Sequence, residues 1–229
     1  MTREEFSAEF DLLYNNIMSN IAPGLTEYEK SVFLTQAQEQ IITDIYSGQY
    51  KGEPFENSEE VRVYLKSLIQ TAVKTDLVKF DSELPDNYQY HYKVKLDAPN
   101  LWFVVLESVI FSEGCPCTKG KKVVVKPVTY DTYWSISRNP FKGPNQNRVL
   151  KVTRSKNLIE LISEYGIDKY LLKYISRPVP IILQDLIDAS INGKINASGC
   201  DLPNVLHRAI LVRAVQIAKS VWGETQAQQ

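Results

Sequence analysis

The hydrophobic period of this chain changes once, from 3.6 to 2, near residue 84, and that change limits the architectures open to it. Before it, apolar residues recur at helical steps. Thr2 and Glu5 form a capping-box pair ahead of Phe6, Phe10, Leu13 and Ile17, which fall on one helix face. Thr26 and Glu29 repeat the pair ahead of Phe33, Ala37, Ile41 and Ile45, and Gly48 stands where a left-handed cap would end that helix. Asn57 and Glu60 open a third pattern in which Val61, Leu65, Leu68, Ile69 and Ala72 share a side. The expectation is a helical stretch over 1–78.

After the change, "YQYHYKVKL" sets Tyr88, Tyr90, Tyr92, Val94 and Leu96 against Gln89, His91, Lys93 and Lys95, the alternation of a half-buried strand. "LWFVVLESVIF" and "KKVVVKPV" read as a hairpin around a polar turn. An irregular "TYDTYWSISRNPFKGPNQN" precedes three further strands, "RVLKVTR", "NLIELIS" and "KYLLKYISRPVPIIL". In the last, Pro178 and Pro180 remove two backbone donors, so that part should be an edge or leave the sheet. The β-rich stretch spans 84–185. A final amphipathic helix over 202–222 follows, with Asp201 as cap, Pro203 in the first turn, and Leu206, Ile210, Ala214, Ile217 and Val221 as its stripe. "GETQAQQ" reads as a frayed tail. No repeat or long linker divides the chain, so the fold class is α+β in one domain, 1–229, with a mostly antiparallel β region between helices.

Composition adds limits on function. At 44% hydrophobic and 23% charged the chain can bury a core, and the net charge of −1 marks no bulk affinity for nucleic acid or membrane. The charge is unevenly spread. Residues 1–100 hold 9 Lys and Arg against 17 Asp and Glu, near −8, and the remainder holds 17 against 10, near +7. Such a dipolar chain can join copies acidic face to basic face, or present its basic half to a polyanion. No apolar run reaches the roughly 18 residues of a membrane span, and "MTREEF" lacks the basic start and apolar centre of a signal peptide. Three cysteines argue against a disulfide framework.

"SEGCPCTKGKKVVVKP" is the stretch most suggestive of chemistry. Cys115 and Cys117 are one residue apart, closer than zinc-knuckle spacing, and a second ligand pair would need Cys200 with His91 or His207. Gly114, Gly120 and Lys121 miss the phosphate-loop pattern: five residues separate the glycines instead of four, Lys122 replaces the Ser or Thr, and a strand follows where a helix is required. A hairpin connection turning at Gly114, Pro116 and Gly120 fits better. Its tip carries Lys119, Lys121 and Lys122, with Lys126 further on, and these are the candidate DNA- or channel-facing residues. The aromatic cluster Tyr130, Tyr133, Trp134 and Phe141, stiffened by Pro140, Gly143 and Pro144, is the candidate inter-subunit surface; the alternative is that these rings cap the local core. No H-E-x-x-H, G-x-S-x-G or G-x-G-x-x-G occurs, and the paired carboxylates Glu4, Glu5 and Glu59, Glu60 sit at helix starts, where the macrodipole favours them. No enzyme, metal or cofactor is expected.

Five stretches in order, "FLTQAQEQIITDIYSG", "FENSEEVRVYLKSLI", "VKPVTYDTYWSISRNPFKGP", "KYLLKYISRPVPIIL" and "CDLPNVLHRAILVRAVQIAK", resemble head-to-tail connector ring or adaptor proteins of tailed bacteriophages, of the crAss-like podovirus type. The resemblance implies a virion structural protein, assembled in the bacterial cytoplasm. It also implies 12 copies around the DNA channel in contact with the portal and other neck or tail rings, with no catalytic residue. Two rivals remain: a nucleic-acid-binding module built on the basic C-terminal half, and a metal-dependent enzyme using Cys115, Cys117, Cys200 and a histidine.

Overall fold

A computed structural model describes residues 1–17, 24–50, 55, 59–84, 88, 90–98, 100–112, 119–155 and 157–226. The chain falls into two compact units, Met1–Leu68 with Pro178–Gln229, and Ile69–Arg177.

The first unit is helical. Helix α1 spans Arg3–Ile17 and α2 spans Glu27–Ser47. Both expected capping boxes form: the Glu5 amide donates to Thr2 Oγ1 at 3.2 Å while the Thr2 amide donates to Glu5, and Thr26 and Glu29 repeat the exchange. Gly48 closes α2 at φ 80°, the left-handed conformation that glycine adopts without Cβ strain. Phe6, Phe10, Leu34, Ala37, Ile41 and Ile45 are buried where α1 and α2 pack with a C-terminal helix, whose Leu206, Ile210 and Ala214 are buried as well. That helix, numbered α5 below because α4 lies in the other unit, begins at Asn204 and runs to Gln226. Asp201 is therefore outside it rather than its cap, and "GETQ" belongs to the helix. Lys30, 4% exposed, ties α1 to α2 through Asp11 at 2.6 Å and Glu27 at 2.9 Å.

After Pro178 the chain runs along α2, and the polar side chains of that helix meet its backbone. The Ile181 amide donates to Thr35 Oγ1, and the Leu183 amide to Ser31 Oγ. The chain then folds back on itself, pairing Ile182 with Ser198, and turns at Asn192 and Gly193. Their φ values, 51° and 77°, are those a primed two-residue turn requires.

The expected third helix stops early. Helix α3 spans only Glu59–Tyr64, a 3-10 turn follows at Lys66–Leu68, and Ile69–Lys74 is strand β1. Ile69 and Ala72 thus belong to the second unit. Its other strands are β2 (Val78–Lys79), β3 (Tyr90–Lys95), β4 (Leu101–Phe111), β5 (Lys122–Val128), β6 (Arg148–Ser155), β7 (Leu158–Ser163) and β8 (Ile167–Ser176). They form one sheet in the order β1-β8-β4-β5-β6-β7-β3-β2, antiparallel except for β5 with β6. The ladder ends before Pro178, as its missing donor dictates.

The sheet has to curl. Eight strands laid flat at about 4.8 Å separate the outermost pair by about 34 Å, yet β1 and β2 occupy opposite edges and only residues 75–77 join them. The four steps from Lys74 to Val78 reach at most about 14 Å. Lys74 Nζ closes the seam on Asp97 at 2.6 Å, which holds that carboxyl below its ordinary range. The inner face carries Val94, Val109, Phe111, Val123, Val125, Val149, Leu161, Tyr170 and Leu172. The outer face has its own cluster of Val128, Leu150, Val152 and Ile162, covered by Tyr133. Tyr133 comes from helix α4 (Tyr130–Ser137), which replaces the first part of the segment read as irregular and links the parallel strands β5 and β6.

Candidate assembly and polyanion-facing surfaces

The β4–β5 hairpin expected from the sequence is present: Gly120, at φ 74°, donates to the Phe111 carbonyl, and Phe111 donates back to Lys121. Gly114, Cys115, Pro116 and Cys117 lie outside the described residues. Lys119 is exposed at the tip, whereas Lys121 is tied back to Asn147 Oδ1 at 2.7 Å. Along β5 the pleat sends Val123 and Val125 inward and Lys122, Val124 and Lys126 outward.

Register then adds neighbours that linear reading missed. Lys122 lies beside Ile110, which lies beside Lys169; Leu106 lies beside Lys173; Val124 lies beside Arg148. The outer face of β8, β4 and β5 therefore carries Lys122, Lys126, Lys169 and Lys173 around the exposed Leu106 and Val124. Lys169 and Lys173 sit some 50 residues from the hairpin, so only strand pairing brings them to it.

The aromatic residues separate into two roles. Tyr130 is 51% exposed, Trp134 43% and Phe141 84%, whereas Tyr133 is 1% exposed and fills the outer core. Tyr133 is therefore removed from the candidate inter-subunit set. Trp134 follows Tyr133 directly, about 100° further round the helix, so α4 anchors by Tyr133 and presents Trp134 on another side. Arg138, which sequence reading passed over, stacks on Trp134 with its guanidinium carbon 3.6 Å from the ring centre.

The turn after α4 is held firmly. Phe141 donates its amide to Asn139 Oδ1 and accepts Arg148 at its carbonyl, both at 2.9 Å. Gly143 donates to the Asn139 carbonyl at 2.7 Å, and Tyr88 Oη donates to the Ser137 carbonyl. A Cβ on Gly143 would sit 2.9 Å from Tyr88 Oη and 3.1 Å from two carbonyl oxygens, so any larger residue forces these neighbours to shift. Phe141 is exposed on a rigid support.

Over residues 1–229 the chain matches the family described as phage tail ring protein 3/4. It belongs to that family. It is 43% identical over 224 residues to "Ring protein 3" of Bacteroides phage crAss001, covering 95% of each chain. It is 37% identical over 239 residues to "Ring protein 4/5" of the same phage, covering 99% of this chain and 96% of that one. The resemblance drawn from the sequence holds, and the chain is a structural ring protein of a crAss-like phage virion.

Among the described residues, several further reactive groups of this ring protein are engaged within their own units. On the inner sheet face Lys151 Nζ meets both oxygens of Glu107 at 2.6 Å, and Tyr170 Oη donates to the same carboxylate. On the outer face Glu160, fully buried, meets His91 at 3.0 Å and Arg154 at 2.6 Å. Burial raises the Glu160 pKa, but hydrogen bonds from His91, Ser82 and Arg154 bring it below the ordinary carboxylate range. His91 thus does lie opposite Tyr92, but on a face that is covered rather than solvated. In the helical unit, burial pushes the Cys200 thiol up to about 11 and pushes the His207 pKa down; His207 spends Nδ1 on the amino terminus and Nε2 on the Leu202 carbonyl. Among the described residues no group of three His, Cys, Asp or Glu is arranged to hold a metal.

Proposed function

We propose that the protein is a non-enzymatic subunit of a closed head-to-tail ring, about 12 copies, between portal and tail, with the basic outer face of its sheet toward the DNA channel. The observation that carries this reading is the division of charge between the units. The helical unit holds 9 Lys and Arg against 16 Asp and Glu, near −7; the β unit holds 17 against 11, near +6. Oppositely charged units let identical copies meet through unlike surfaces, the kind of contact that generates rings when its rotation closes. Lys119, Lys122, Lys126, Lys169 and Lys173 then contact passing DNA through phosphates alone, weakly and without sequence preference. Assembly takes place in the host cytoplasm, with the portal and other tail rings as neighbours.

Native mass measurement and negative-stain images of the purified chain, alone and with portal, test the ring. Lys119, Lys122 and Lys126 changed together to Glu should leave folding intact and reduce genome retention; unchanged retention in intact rings would remove the channel assignment. The +6 of the β unit also favours a second reading, a monomeric nucleic-acid-binding module. Salt-dependent DNA binding by a chain that forms no rings would select it.

A further inference from the structure

We infer that the exposed arm Trp134–Arg138–Phe141 of one copy docks into an acidic groove on the helical unit of the next copy, and that this is the ring's repeating contact. The inference rests on the ring reading above and names the two surfaces it needs.

A head-to-tail contact uses two different patches, and every copy must carry both. The first patch is the arm. Trp, Tyr and Arg dominate interface energetics, the aromatic rings because they bury large area on two rotatable bonds. Here Trp134 and Arg138 are already stacked, and Phe141 is fixed at 84% exposure by the Asn139, Arg148 and Gly143 contacts. The backbone that carries this ring is already ordered, so docking has only the side chain's own rotamers left to fix.

The second patch is a groove of about 380 Å³ in the helical unit, where the start of α2 meets the segment after Leu183. Tyr28, Leu186 and Ile187 give it apolar walls, and Glu27, Asp185 and Asp188 give it acidic ones. Ile187 is 94% exposed and Tyr28 41%. Glu27 is partly neutralised by Lys30 at 2.9 Å. Asp185 accepts the Ala197 amide at 2.6 Å, and neither it nor Asp188 forms an ion pair among the described residues. An apolar groove with two unneutralised carboxylates calls for an occupant that is aromatic and cationic. The arm, with Arg138 and Lys142 flanking its rings, is that occupant, and the net charges of +6 and −7 on the two units favour the same pairing.

The test places a benzophenone-bearing amino acid at position 141 and irradiates rings assembled from a mixture of 15N-labelled and unlabelled chains. Cross-links between chains should fall on Tyr28 or residues 184–189. Arg138→Glu should weaken assembly at least tenfold, and Asp188→Arg in the same chain should restore most of it. Rings whose cross-links map elsewhere, or a charge reversal with no effect and no rescue, overturn this contact and leave the ring reading standing. A wild-type chain that stays monomeric at every concentration and beside its portal overturns both.

Discussion

Replacing Lys151 with Met would leave Glu107 inside the curled sheet with Tyr170 as its remaining partner. The pair spans a strand: Glu107 lies on β4, Lys151 on β6, and β5 runs between them. Glu107 is 5% exposed and Lys151 9%, so water reaches neither well. Removing one member of a buried ion pair costs about 3–5 kcal/mol, because the other charge is left without compensation. At about 2–4 °C per kcal/mol for a chain of this size, Tm should fall by roughly 6–20 °C. Fluorescence of Trp102 and Trp134, both in the β unit, reports the transition. Replacing the whole trio, Glu107→Leu with Lys151→Met and Tyr170→Phe, should return stability to within about 1 kcal/mol of wild type, since no buried polar group is then orphaned. A cost below about 1 kcal/mol for the single change, or a triple variant as unstable as the single, would refute the reasoning.

Gly143→Ala should cost about 1–3 kcal/mol in chemical denaturation, since its Cβ meets two carbonyl oxygens that cannot move freely. Tyr133→Ala should cost about 3–5 kcal/mol in the same assay, while Phe141→Ala changes stability of the isolated chain by less than about 0.5 kcal/mol; equal effects would contradict the two roles given to these rings. Glu160→Gln should be destabilising at neutral pH. Because the folded-state pKa of Glu160 is lowered, its contribution is complete above the ordinary carboxylate range and is lost as pH falls through that lowered value, so the gap between wild type and variant should close in acid titration.

How far the fold was legible depended on the range of the forces involved. The capping boxes at Thr2/Glu5 and Thr26/Glu29 and the cap at Gly48 are decided within four residues, and they form where the sequence put them. The third helix failed because Leu65, Leu68, Ile69 and Ala72 satisfy a helical period while "IQTAVK" also satisfies strand pairing. The competing partner is β8, where Ile69 meets Ile175, about a hundred residues away. Helix α4 was hidden by Pro140, Gly143 and Pro144, which punctuate the residues after it rather than the helix itself. The Asn192–Gly193 turn was legible as a dipeptide and was passed over.

The candidate surfaces show the same division more sharply. Lys119 and Lys122 could be named from a run of lysines, but Lys169 and Lys173 join them only through register. The opposite charges of the two halves were correctly sensed but placed by position in the chain. Residues 178–229 are neutral, with 4 basic against 4 acidic side chains, and they pack with the N-terminal helices, so the basic excess belongs to the sheet unit and not to the C-terminal half. That placement bears on mechanism. Tyr133 and Phe141 lie eight residues apart in a cluster that composition treats as one, yet the first is spent on folding and the second on nothing within its own unit. A side-chain amide, a guanidinium and a crowded glycine order the backbone that carries Phe141, and the exposed ring adds nothing to that ordering. Under the contact proposed above, the ring's contribution comes only when a second surface covers it.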